Sequence, residues 1–121
     1  MSLKVVCCGM QAKKIADVAT KVGESEVEVS VMPDMQGAQG VKTGKFDYYI
    51  GTCQTGGGGS LGMAIAILGP QKSKIVATPG RVPKYEDIVN YVKSGVKAFG
   101  LPYDQIDGVV PMIIKAILEQ R

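Results

Sequence analysis

The sequence predicts an α/β fold: a three-layer α/β/α sandwich with a Rossmann-like, mostly parallel sheet of four to five strands. Three observations carry this. Short apolar runs alternate with segments of helical period along the 121 residues. The connections between them are brief, as strand–helix–strand units allow. Glycine is concentrated just after the third apolar run, where a parallel sheet places its ligand loops. No linker or repeat interrupts the pattern, so residues 1–121 read as one α/β domain.

Each element has its own warrant. Residues 4–8 (KVVCC) form a short apolar run stopped by Gly9, a buried-strand signal. Residues 11–22 switch to helical period, with Ala12, Ile15, Val18, Ala19 and Val22 on one face, and Gly23 is placed to cap the helix. Residues 26–32 alternate, with Val27, Val29 and Val31 on one face, as an edge strand with one solvated side would. Asp34 can cap a short helix ending near Gly44, although Gly37 and Gly40 weaken it. Residues 46–53 (FDYYIGTC) read as a central strand, and residues 61–68 (LGMAIAIL) as a helix with almost no polar face. Residues 74–78 make a fourth strand closed by Pro79-Gly80, and residues 84–96 an amphipathic helix. Residues 97–101 fit a fifth strand or a loop. The last helix starts near Asp104, or at Pro111 if proline occupies its first turn, and ends at Glu119.

Composition excludes several function classes. The apolar share is 45% and the charged share 21%, which suits a packed core. The longest strongly apolar run, residues 61–68, is far short of the roughly 20 residues that span a bilayer. No secretory signal is visible, and three cysteines, two of them adjacent, suit a reducing compartment. The expectation is a cytoplasmic protein without membrane contact. Fourteen basic and eleven acidic residues leave a net charge of +3 with no basic stripe, so no nucleic acid is expected as partner. There is no histidine. Ser-His-Asp and Cys-His catalysis and imidazole metal ligation are therefore impossible, and no metal site is expected.

The segment with chemical content is residues 47–63. Glycines 51, 56, 57, 58, 59, 62 and 69 put much of the chain's glycine into one stretch. Gly56, Gly57, Gly58 and Gly59 in a row would destabilise any regular element, so a bare backbone must serve some purpose there. Followed by Ser60 and a helix, they form a natural cradle of N–H groups for a small anionic metabolite. Gly57, Gly59 and Gly62 spell G-x-G-x-x-G, but no acid ends the next strand as a dinucleotide fold requires. A Gly-Lys-Ser/Thr P-loop is also missing, so no cofactor is expected. Cys53 sits where strand meets loop, where N–H donors can lower a thiol's pKa and make it a nucleophile or base. The bland alternative is a buried small hydrophobe. Among the cations, Arg81 just past the fourth strand is best placed for an anion, ahead of Lys84 and Lys13.

The strand–Cys53-x-Thr55-Gly56–loop–apolar-helix segment resembles the active-site segment of the ribose-5-phosphate isomerase B and galactose-6-phosphate isomerase family. The resemblance implies Cys53 as the base that moves a proton between two sugar carbons. It implies Thr55 as a supporting hydroxyl and Gly56 to Ser60 as the oxyanion cradle. The family's histidines for ring opening and phosphate contact have no counterpart, and its Asp-His-Ala-Gly signature is replaced by Cys8-Gly9-Met10-Gln11. The whole chain resembles an uncharacterised bacterial family of YhfU-like proteins. This rests on residues 46–56 (FDYYIGTCQTG), residues 63–69 (MAIAILG), Pro79-Gly80 and residues 98–101 (AFGL).

Two alternatives stand beside a proton-transfer enzyme. One is a non-catalytic regulatory domain using the same cradle. The other is a phosphocysteine carrier, because Cys7 and Cys8 end the first strand as the reactive cysteine does in sugar-phosphotransferase B domains. Against it, Gln11-Ala12-Lys13 supplies no hydroxyl, and two buried thiols are the plainer reading. The apolar helix 61–68 must be covered on both sides, by the last helix or by a second subunit. A homodimer through that helix is the expectation.

Overall fold

A computed structural model describes residues 2–53 and 59–121, and of residues 59 and 60 the backbone alone. Five strands, β1 (Leu3–Gly9), β2 (Val27–Val31), β3 (Tyr48–Cys53), β4 (Ser73–Ile75) and β5 (Ala98–Pro102), alternate with five helices. These are α1 (Ala12–Gly23), α2 (Asp34–Lys42), α3 (Gly59–Leu68), α4 (Tyr85–Lys93) and α5 (Ile106–Glu119). The strands form one sheet in the order β2-β1-β3-β5-β4, and every pairing is parallel.

Chain direction across the sheet decides which face each helix covers. The β1→β2 and β4→β5 steps move one way, and the β2→β3 and β3→β4 steps the other. Right-handed crossovers then put α1 and α4 on one face and α2 and α3 on the opposite face. The packing agrees: α1 and α4 both contact α5, whereas α2 packs on α3. Alternation along β1 feeds both layers. Val5 and Cys7 join the core under α1, α4 and α5, while Val6 and Cys8 join Ala38, Leu61 and Ala64 under α2 and α3. Both faces are covered, as parallel sheets require.

Several boundaries differ from expectation for physical reasons. Residues 98–102 form a strand and not a loop, buried throughout between β3 and β4. The fourth strand stops at Ile75, although the Val76 N–H still donates to Gly100 O at 2.9 Å. Gly23 does not cap α1. It stays helical, and Glu24 takes the left-handed turn at φ 51°, because a Cβ on Gly23 would stand 2.3 Å from a Val27 methyl. The amphipathic helix ends at Lys93, before Gly95 at φ 100°. The last helix begins at Ile106 and carries Pro111 inside it. The apolar stripe of Ile106, Val109, Val110, Ile113, Ile114 and Ile117 runs past the proline, and its burial outweighs one missing hydrogen bond.

Candidate functional site at the carboxyl edge of the sheet

Adjacent strands β1 and β3 lead into helices on opposite faces, and such a divergence opens a crevice at the strands' carboxyl ends. Its walls are the β1–α1 connection, Gly9-Met10-Gln11, and the end of β3. Met10 is tied to that strand through its main chain. Its N–H donates to Thr52 O at 3.0 Å, and the Thr52 hydroxyl donates back to the Met10 carbonyl. The connection turns sharply, with Gly9 at φ 89° and Gln11 at φ 59°. A non-glycine residue held in the left-handed region costs on the order of 1 kcal/mol, and such strain gathers at ligand sites.

Cys53 is the last residue of β3, partly buried, opposite Pro102 of β5. Thr55, Gly56, Gly57 and Gly58 lie outside the described residues. Gly59 and Ser60 open α3, two residues earlier than the sequence suggests. Arg81 reaches the same end of the sheet by a different route. It bridges Thr78 across the Pro79-Gly80 turn, with its N–H on Thr78 O at 2.9 Å. It lines a cavity of about 320 Å³ with Ile75, Thr78, Asp87 and Tyr91, whose described lining does not include Cys53. Two strand positions separate β3 from β4, so Arg81 is set apart from the β1–β3 crevice. Lys84 directly precedes α4, and Lys13 lies in the first turn of α1.

Cys7 and Cys8 are both fully buried, one in each core. Burial pushes each thiol up to about 12, with the neighbouring Cys8 adding to the rise at Cys7. With no exposed surface on either thiol, the structure favours core residues over a phosphocysteine carrier. Among the described residues no cluster of His, Cys, Asp or Glu could hold a metal ion. No described helix is long and apolar enough to cross a membrane.

Three residues at this edge escape sequence reasoning. Met10 and Tyr103 follow the ends of β1 and β5, with side chains 45% and 36% exposed. Their one sequence signal is position immediately after a strand. Gln105 donates its amide to Thr78 O at 2.7 Å, tying the start of α5 to the turn that carries Arg81. Its buried Oε1 has no hydrogen-bond partner among the described residues, and nothing in the sequence marks it.

The fold and its strand-end crevice define a doubly wound, all-parallel α/β protein with its candidate site at the switch point of the sheet. The chain belongs to the family described as "Protein of unknown function DUF2620", whose model matches residues 3–117. It is 38% identical over 111 residues to "Uncharacterized protein YhfU" of Escherichia coli strain K12, covering 92% of this chain and 95% of that one. The Shigella flexneri protein of the same name matches equally. Among solved structures it is similar to the type B ribose 5-phosphate isomerase of Trypanosoma cruzi. That match has a TM-score of 0.68 and 10% identity, over 97% of this chain and 84% of the other. The Trypanosoma brucei enzyme gives a TM-score of 0.65 and 15% identity, over 97% and 86%. At such identity the likeness shows a shared fold.

Proposed function

We propose that the chain binds a small phosphorylated or carboxylated metabolite at the carboxyl end of β3, and that Cys53 moves a proton on it. The observation that carries this is the position of Cys53. It ends the strand beside the switch point, one residue after the Thr52–Met10 clamp. In this reading the Cys53 thiolate takes a proton from a carbon next to a carbonyl. The C–H electrons shift onto the carbonyl oxygen, and the resulting enediolate oxygen is held by main-chain N–H groups of Gly56, Gly57, Gly58, Gly59 and Ser60. The protonated Cys53 then returns the proton to the former carbonyl carbon. The proton of the substrate's adjacent hydroxyl passes to the oxyanion, which leaves the carbonyl on the carbon first deprotonated. Thr55 supports the thiol, and Arg81 is the nearest guanidinium for the distal anionic group. The chain has no histidine to open a sugar ring, so an open-chain anion is the simplest probe of the reading.

Dihydroxyacetone phosphate, a minimal enolisable anion, tests the reading in D2O. The native protein is expected to catalyse deuterium uptake at the carbon beside the carbonyl. Cys53→Ser should slow uptake at least about 100-fold while changing the ligand's Kd less than about twofold. The lack of histidine also favours a second reading, a non-catalytic ligand-binding domain. It predicts binding without deuterium uptake in the native chain and an indifferent Cys53→Ser.

The assembly belongs to the same proposal. The last helix packs on α1 and α4, on the face opposite α3, and so does not cover α3, which packs on α2 and the sheet. Residues Gly59–Leu68 contain no charge, and Gly62 and Ala66 are exposed. A second copy of the chain covering α3 is the arrangement that buries this surface.

A further inference from the structure

We infer that the amino edge of the sheet carries a second anion site, one that holds a diphosphate: pyrophosphate itself or the diphosphate group of a small organic ester. It lies at the opposite end of the sheet from Cys53 and stands independently of the function proposed there. A cavity of about 320 Å³ opens at this edge, within the size range of small-ligand pockets. Lys42 reaches it from the last residue of α2, and Lys72 and Lys97 from the residues just before β4 and β5. Phe46 and Leu68 supply apolar wall between them. The main chain fixes Lys97 on both sides. Its N–H donates to Lys72 O at 2.8 Å, and its carbonyl accepts from the Tyr49 N–H at 2.9 Å.

The charge in this cavity is not balanced from within. Its one carboxylate, Asp47, accepts the Lys4 main-chain N–H on Oδ2 at 2.8 Å, and the lining keeps two net positive charges. The ion pairs found among the described residues, Lys14–Asp107 and Arg121–Glu26, involve none of the three lysines. Lys97 Nζ stands 4.8 Å from the centroid of the Tyr48 ring, a contact that orients the ammonium without cancelling its charge. Helix dipoles do not account for the cluster. Only Lys42 ends a long helix, and the last carbonyls of α2 already have main-chain donors. Thr43 N–H lies 3.0 Å from Gln39 O, Gly44 N–H 3.2 Å from Val41 O and Phe46 N–H 3.0 Å from Gly40 O. Lysine is a point charge suited to phosphoryl oxygens. A ligand that meets lysines from α2 and from two strand starts needs more than one anionic centre, which a diphosphate has.

Calorimetric titration of the full chain with pyrophosphate and with inorganic phosphate is the test. Pyrophosphate should bind at least about tenfold tighter than phosphate. Lys42→Gln and Lys72→Gln should each weaken pyrophosphate binding about fivefold or more. Lys21→Gln, which removes the same charge from the last turn of α1, should change it less than about twofold. All three side chains are exposed, so the substitutions keep the fold. Lys42 and Lys72 take no part in the Cys53 site, and their variants should exchange deuterium into dihydroxyacetone phosphate at the native rate. Failure of one site is thus distinguishable from failure of the other. Absence of pyrophosphate binding, binding no tighter than that of phosphate, or an equal loss in Lys21→Gln overturns the inference. So does binding that survives both lysine substitutions and is lost in Arg81→Gln, which would put the diphosphate at the carboxyl edge.

Discussion

Three cysteines share one chain and have very different environments. Cys7 and Cys8 are neighbours in β1, yet strand alternation sends one thiol into each core. Their fate was legible in the apolar run that contains them. Cys53 looked similar by composition and differs by place, at a strand end and partly exposed. In the native chain one equivalent of thiol should react with Ellman's reagent at pH 8, rising to three in denaturant, and Cys53→Ser should abolish the native reaction. Reaction of two or more thiols in the folded state would contradict the burial of Cys7 and Cys8. Their raised pKa also sets a pH dependence. The folded protein keeps these thiols neutral up to about 12, whereas the unfolded chain ionises them from 9.0. Unfolding therefore releases protons from these thiols above pH 9, and their contribution to stability, constant below that point, falls as pH rises toward 12. Urea midpoints measured across this range should drop, and Cys7→Ala should drop less steeply. What the sequence could not show at this scale is Met10, because its link to Thr52 spans 42 residues of chain.

At the scale of elements, the helix with two glycines is the instructive one. Gly37 and Gly40 argue against a helix by propensity, and α2 forms regardless because those positions face the sheet. A Cβ on Gly37 would stand 2.5 Å from Cys8 Sγ, and one on Gly40 2.4 Å from the Phe46 ring. The glycines bring α2 close over β1 and the start of β3. Gly37→Ala should thus destabilise the protein by about 1–2 kcal/mol in urea unfolding, since overpacking outweighs the gain in helix propensity. A stabilised variant would show that α2 is seated less closely than this. Period and breaker residues located nine of the ten elements; the fifth strand was ambiguous because five residues with a glycine and a proline carry little pattern. Pro111 misdirected the start of α5 because a local rule met a longer apolar stripe.

For the whole molecule, sequence pattern reached the class of fold and stopped short of the strand order. Nothing local says that β5 inserts between β3 and β4, yet that insertion brings Pro102 beside Cys53. It also keeps Arg81 two strands away, a separation that chain order does not reveal. Topology likewise sends α5 to the face opposite α3. If a second copy covers α3, Ala66→Glu should convert a dimer to a monomer in sedimentation with little change in melting temperature, because Ala66 is exposed within one chain. An unchanged assembly would place the interface elsewhere. The central claim is that the carboxyl end of β3 is an anion site, and a crystal soaked in phosphate tests it most directly. The account predicts phosphate density against the main chain of residues 56–60, beside Cys53. Density absent from residues 56–60 and Arg81 alike, or confined to the cavity at the opposite end of the sheet lined by Lys42, Lys72 and Lys97, would contradict it.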